Sequence, residues 1–443
     1  MTLQVSTRRA LTPGPSPGGG RGNIAIVGGG WAGIACALDL AAAGRPFTLF
    51  EAARQLGGRA RGVDWNGIRI DNGQHLMVGA YRETLRLLRH LGTADLLERR
   101  PLELRVPGFR LALPRWPAPL HLAAGLLFAR GLGFGEKLAA VRFMAALKRL
   151  HYRLPADIPA SALLQRHRQP QALIERLWAP ICIAALNTPL EAASAQVFCN
   201  VLRDSLAGPR AAGDLLLNRA DLSRLFAAPA LARLGPERVR LGSKVERIRA
   251  DAASFHLTGP NGAAERVEQV VLAVHPARLP TLLADLPALA DIAADVAGYT
   301  WQPILTLWLR FAAPPSFPFP MLGLGGGHAP WAFERNDLAP GLVAIVVSAD
   351  GPHLHWPQQR LRDAYLALLA SALGPLPLLL DWKVITEKRA TYTCGPALPR
   401  PGNATPLAGL YLAGDYTEGD YPATLEGAVR SGVKCARLVL DTR

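Results

Sequence analysis

Gly28, Gly30 and Gly33 stand in G-x-G-x-x-G register, and Glu51 follows the last of them after 18 residues. Glycines at this spacing, with an acid at that distance, suit the binding of a dinucleotide. The first permits a tight turn, the second lets backbone approach a pyrophosphate, and the third lets a helix pack on a strand. The helix N-terminus then faces the phosphates, and the carboxylate accepts hydrogen bonds from a ribose. Trp31 and Ala32 inside the motif, and Ala52 beside the acid, join the candidate contacts. The elements needed to hold these residues occur in order. NIAIV predicts a strand buried on both faces, IACALDLAAAG a helix closing at Gly44, and FTLFE a second strand ending on Glu51. A glycine-rich turn without a ligand has no need of that succession.

Two further blocks carry chemistry. In AARQLGGRARG, Gly57 and Gly58 allow backbone to pass close to a planar ring or phosphate, and Arg54 and Arg59 add positive charge. Near the other end, GLYLAGDYTEGDYPATLEGAVRSG predicts a strand whose exit turn is Gly414 and Asp415. A helix is expected to begin near Pro422 and to place Leu425, Ala428, Val429, Gly432, Val433, Ala436 and Leu440 on one face. Together the three blocks resemble the signatures of flavin enzymes of the amine oxidase and carotenoid desaturase superfamily. That resemblance implies non-covalent FAD. It puts Asp415 at the ribityl–phosphate part, adenine against backbone near Val245, and the helix start at Ala423, Thr424 and Leu425 toward the flavin's pyrimidine end, where a positive helix terminus favours the reduced cofactor. It also implies an α/β fold: a discontinuous, GR2-type Rossmann-like FAD-binding domain (residues 23–80, 236–285 and 400–443) with an inserted mixed α+β substrate domain (81–235 and 286–399).

Three segments are more specific. FEAARQLGGRARGVDWNGIRIDNGQHLMVGAYRETLRLLRHLG, WAPICIAALNTPLEAASAQVFCNVLRDSL and LAGDYTEGDYPATLEGAVRSG resemble the hydroxysqualene dehydroxylases of hopanoid biosynthesis, from about residue 23 to the C-terminus. The resemblance implies that a C30 allylic alcohol loses its hydroxyl and gains a hydride from reduced FAD, which an electron donor unnamed by the sequence must reload. Such a site needs an acid to help water leave, and aromatic faces in a dry cavity to protect an allylic cation. His75, in DNGQH, is the first acid candidate, although a structural histidine fits the same position. Asp204 and Tyr421 follow. Asp71 suits a turn with Asn72 and Gly73, and Glu426 suits its own helix dipole. Trp178, Phe198, Trp301, Trp308, Trp331 and Phe333 are candidate walls, two or three at most. Cys394 could tether a flavin but fits a buried thiol.

The remaining composition sets bounds. There are 49 basic and 34 acidic residues, and the first 150 hold 21 and 9 of them. A basic first third suits an anionic cofactor or lipid surface; no basic run interleaved with aromatics argues for nucleic acid. Five dispersed cysteines, without His partners at metal spacing, predict reduced thiols and no metal site. Residues 312–333 lack Lys, Arg, Asp and Glu, but five prolines and four glycines forbid a spanning helix. Residues 1–22 are expected to be a disordered tail without the apolar region of an export signal. The expectation is a cytoplasmic protein bound peripherally to the inner face of the cell membrane, with the apolar 119–147 stretch serving that contact. An isoprenoid desaturase or amine oxidase are the enzyme alternatives, and a prenyl-lipid carrier is the non-enzyme one.

Overall fold

The computed structural model describes residues 23–326 and 330–442. The expected tail, 1–22, lies outside the described residues, as do three residues of the 312–333 segment. Two sheets organise the chain. The first is parallel, with strands in the order Val239–Leu241, Phe47–Glu51, Ile24–Val27, Gln269–Leu272 and Leu410–Leu412. Its central strand, IAIV, is buried along its whole length. That is the cause of its unbroken apolar pattern, since helices cover both faces of a parallel sheet. Three well-separated stretches of sequence therefore build one Rossmann-like sheet with a discontinuous path, and an α+β region is inserted between them.

The first helix, Trp31–Ala42, crosses from the first strand to its neighbour. Against it lies the last helix, Leu425–Asp441. Gly432 sits where any side chain would collide with the Ala32 carbonyl, so the two helices meet backbone to backbone. Val429, Gly432, Val433 and Ala436 are buried at this contact, as the helical spacing predicts. Leu440, expected on the same face, is 39% exposed near the helix end, while Leu425 and Ala428 turn toward a cavity. The helix starts at Leu425 rather than near Pro422, because Thr424 caps it by accepting from the Gly427 N–H at 3.1 Å.

The second sheet is antiparallel: Met321–Gly323, Trp331–Glu334, Leu342–Ser348, Trp301–Phe311 and Leu379–Tyr392. On one face Leu305, Leu307, Leu309, Val343 and Ile345 pack beneath Leu361, Tyr365 and Leu369 of the helix Gln358–Leu373. The other face carries Ile304, Trp331, Phe333 and Val346, which look into the cavity. No helix among the described residues is long and apolar enough to cross a membrane.

Glu426 shows how distant parts lock together. It is fully buried in the first turn of the last helix. Its carboxylate accepts from the Glu83 and Thr84 N–H groups at 3.1 and 2.9 Å and from the Thr84 hydroxyl at 2.8 Å, and it pairs with Arg430 at 2.8 Å. It thus caps the helix Arg82–His90, whose own N-cap residue, Tyr81, supplies no side-chain cap. The sequence reading gave it only its own helix dipole. Glu426→Ala leaves two helix-end donors, a hydroxyl and an arginine without an acceptor. Its expected cost is about 3 kcal/mol, read as a lowered urea midpoint.

Candidate functional site

One cavity of about 700 Å³ lies at the carboxyl ends of the parallel strands and continues between the two sheets. Strand-end crevices of this kind are where open α/β sheets bind ligands, because loops there diverge and helix N-termini converge. The structure brings most of the expected cofactor residues to this cavity: Gly28, Gly30, Trp31, Ala32, Glu51, Ala52, Gly57, Gly58, Arg59, Val245, Gly414, Asp415, Ala423, Thr424 and Leu425 all line it. Gly33 does not, because it serves packing: a side chain there would strike the Gly28 carbonyl. Arg54 does not either; it is exposed, and its charge reaches solvent instead.

The glycines differ in what they do. Gly28 has φ +110°, which L side chains rarely adopt, and it passes tight against Ala273. Gly30 has ordinary extended backbone, and a side chain added there meets nothing nearer than Gly58 Cα at 4.0 Å. The space beside Gly30 therefore belongs to the cavity. Gly57 N–H donates to the Gly29 carbonyl at 2.8 Å, which holds the second glycine block against the first. Glu51 accepts from Gly29 N–H and Ala53 N–H, both at 2.7 Å. Its carboxylate orients the loop backbone and keeps lone pairs for a hydroxyl group.

Arg59 and Asp415, 356 residues apart, form an ion pair at 2.7 Å. A second guanidinium nitrogen of Arg59 donates to the Ala390 carbonyl at 2.7 Å. The pair ties both ends of the chain to the long strand Leu379–Tyr392. The charges of the pair cancel, and the N-terminus of the 17-residue last helix makes this end of the cavity a place for a polar ring.

His75 lines the cavity beyond Gly58 and is half-buried. Its Nδ1 lies 2.7 Å from the Gly73 carbonyl and donates to it, which leaves Nε2 as the acceptor. Burial, reinforced by Arg59, holds the ring below its ordinary 6.5, so it rests neutral. Asp204 and Tyr421 also reach the cavity, and Asp204 pairs with Arg203 at 2.7 Å. Burial raises the Tyr421 phenol well above its usual range, and Arg430 lies 4.6 Å over its ring. Asp71 is elsewhere, fully buried beneath the loop that carries His75. It accepts from the Leu222 N–H at 2.7 Å and pairs with Arg335 at 3.6 Å. Arg335 in turn donates to Gln74.

Of the six aromatic candidates, Trp331 and Phe333 line the cavity. Trp178, Phe198 and Trp308 are buried in the core instead, and Trp301, outside the lining, packs its ring at a tilt against His275. Cys394 is buried and absent from the lining; burial pushes its thiol up to about 12. The remaining walls are mainly apolar, among them Leu102, Leu104, Ile181, Ile304 and Met321.

Sequence reasoning missed His275, which lines the cavity, and Asn187 of the ALNTP segment. His275 follows the strand Gln269–Leu272, and its position was recoverable, since every strand end of a parallel sheet opens on the same crevice. Asn187 adopts φ +49° and donates to the Thr391 hydroxyl at 3.0 Å while accepting from Ala349 N–H at 2.7 Å. It fixes a helix end to the second sheet, and no local pattern signals that bond.

The arrangement has one polar, glycine-lined end able to hold a dinucleotide and one apolar end able to hold a hydrocarbon. Comparison with known proteins agrees in kind. The family model for flavin containing amine oxidoreductases matches residues 31–440. The chain is 30% identical over 442 residues to hydroxysqualene dehydroxylase of Rhodopseudomonas palustris, covering 94% of this chain and 98% of that one. It is 29% identical to the enzyme of the same name from Sinorhizobium fredii, covering 95% and 98%. Its fold matches the crystal structure of a protoporphyrinogen oxidase homologue from Exiguobacterium with a TM-score of 0.69 at 19% identity, covering 96% of this chain and all of that one.

Proposed function

Since the chain belongs to the flavin-containing amine oxidoreductase family, we propose that it is an FAD-dependent enzyme that converts hydroxysqualene to squalene. The observation that supports this most is the single cavity that joins the glycine cradle to a chamber walled by Leu102, Leu104, Ile304, Met321, Trp331 and Phe333. A C30 hydrocarbon chain needs apolar walls along its whole length, and this chamber supplies them. The names of the two relatives at 30% and 29% identity point to the same substrate.

The residues present fit FAD. The open space beside Gly30 suits a pyrophosphate, Glu51 a ribose, and Arg59 with Asp415 the phosphate–ribityl link. The start of the last helix at Ala423–Leu425 suits the pyrimidine ring. When bound and reduced, the flavin supplies a hydride. In the balanced reaction the substrate's C–O bond breaks, a C–H bond forms, and a proton combines with the hydroxide as water. The two electrons come from the reduced flavin, which a separate donor must reload. The chain's own part is to hold the allylic carbon in a water-poor chamber, to offer the Trp331 and Phe333 rings to developing positive charge, and to deliver the proton.

We assign that delivery to His75, which lines the cavity. Its Nδ1–H is fixed on Gly73, so Nε2 is the atom that takes up a proton and passes it to the leaving hydroxyl. The protonated ring is a stronger acid than an ordinary imidazolium because its pKa is lowered. Only the protonated form can donate, so kcat/KM should rise as pH falls through a midpoint below 6.5. His75→Gln should abolish that rise and slow turnover about 10²- to 10⁴-fold. A pH profile in the variant that still matches the wild type would move the donor to Tyr421 and Asp204.

The reading is tested by supplying hydroxysqualene and a chemical reductant to the flavin-loaded protein and identifying the product by mass. Squalene supports it. Unchanged alcohol, alongside active flavin reduction by a hydrocarbon or an amine, would replace it with a desaturase or amine oxidase.

A further inference from the structure

Among the described residues, ten large hydrophobic side chains are exposed, and seven of them fall between 116 and 150. Scattered exposed leucines need no explanation, but a cluster this dense does. It is built on two helices, Leu120–Leu127 and Phe134–Arg149. The second buries Ala140, Phe143, Met144 and Leu147 against the core, yet the flank beside that face carries Phe134 at 80% exposure and Val141 at 47%. The first buries Ala124 and Leu126, yet leaves Leu120, Leu127 and the following Phe128 outside, Phe128 at 72%. Lys137 Nζ donates to the Leu127 carbonyl at 2.7 Å and joins the two helices. A soluble helix normally turns its large apolar residues inward, and these two leave several of them outside.

The charge around the apolar cluster is of one sign. Residues 113–153 contain seven lysines and arginines and a single acid, Glu136. Glu136 is already engaged, accepting from the Gly133 N–H at 2.7 Å to cap the second helix. Arg115, Arg130, Arg142, Lys148, Arg149 and Arg153 are all exposed.

We propose that this face, formed by residues 116–150, is the surface by which the protein sits on an anionic lipid bilayer, with Phe128 and Phe134 entering the acyl region and the arginines and lysines at the headgroups. The apolar tips with a basic surround are the chemistry of an interfacial anchor. A second copy of the chain is a poorer occupant, because a two-fold contact would set this basic face against itself. The position also serves the cavity. The face is backed by the hairpin Glu103–Val106 and Phe109–Ala112: Leu113, just beyond it, packs against Gly125 of the first helix, while Leu102 and Leu104 line the cavity. One hairpin therefore separates the bilayer from the apolar chamber.

The proposal deepens the reading of a hydrocarbon substrate and rests on it for its purpose. Its test is co-sedimentation of the full-length, flavin-loaded protein with phosphatidylcholine vesicles, with and without phosphatidylglycerol. Wild type should bind the anionic vesicles, bind the neutral ones far less, and be released by added salt. Phe128→Glu with Phe134→Glu, and separately Arg142→Glu with Lys148→Glu and Arg149→Glu, should each weaken partitioning at least about tenfold. Flavin content and melting temperature should be unchanged, since these side chains are exposed; Leu127→Ser provides a milder check should a multiple variant melt early. Variants that bind like wild type would overturn the proposal, as would a solution dimer that the same substitutions dissociate. Vesicle binding without turnover of hydroxysqualene would instead remove the substrate reading and leave the surface standing; turnover without vesicle binding would do the reverse.

Discussion

Gly30→Val should give a protein that folds and melts like the wild type but purifies without colour. The backbone at Gly30 is extended, and a side chain there points into empty cavity, 4.0 Å from its nearest neighbour. The folded chain loses at most about 1 kcal/mol, from a less favourable helix N-cap. A pyrophosphate approaching the same backbone would meet two methyl groups. That overlap is expected to weaken flavin binding about a hundredfold or more. Gly33→Ala is the control with the opposite signature. Its methyl group strikes the Gly28 carbonyl inside the fold, so stability falls first and flavin is lost as a consequence. Flavin absorbance per mole of protein, read beside a melting curve, separates the two. A yellow Gly30→Val protein would mean that no phosphate passes there.

Arg335→Met should cost about 3–5 kcal/mol, because it strands a buried carboxylate. Asp71 is fully buried and Arg335 is 3% exposed, and the two are 3.6 Å apart. Arg335 also holds Gln74 and the Asn218 carbonyl, and lies 5.9 Å from the centre of the Trp308 ring. Burial already pushes the Asp71 carboxyl from 3.8 up to about 6, against the pull of Arg335. The folded chain thus keeps a proton that the unfolded chain releases, and the Asp71 contribution to stability falls as pH rises from about 4 to about 6. Without Arg335 the carboxyl rises further, and the fall should extend to higher pH. The double variant Asp71→Leu with Arg335→Met removes both charges and should recover more than half of the loss. Urea denaturation of the three proteins across that pH range checks each statement. A double variant no more stable than Arg335→Met would show that the cost lies in packing, not in the stranded charge. Because Gln74 precedes His75, the single variant should also impair turnover.

What could be read from the sequence followed from how local each feature is. The strand, glycine loop, helix, strand and acid between residues 24 and 51 are contiguous, and Gly33 finds its reason in Gly28 close by, although what crowds Gly28 is Ala273, far along the chain. The same holds for the last strand and helix. Pairings across hundreds of residues left no local trace. Nothing near Glu426 announces that it caps a helix 343 residues away, and nothing near Arg59 names Asp415 as its partner. Aromatic residues were hard for another reason. Trp308 and Phe333 share one face of the second sheet, each in register with Ala344, and only what packs over that face decides that Phe333 lines the cavity while Trp308 is covered. Arg335 was overlooked because a charged residue in the loop after a strand ordinarily meets water, and this one does not.

The most direct test uses the flavin as its own reporter. Purified protein loaded with FAD is reduced without oxygen, freed of excess reductant, and mixed with hydroxysqualene. The account predicts that the yellow colour returns in one turnover, with one squalene formed for each flavin reoxidised. Flavin that stays bleached while the alcohol remains intact, in a protein whose oxidised flavin is instead bleached by a hydrocarbon or an amine, would contradict it.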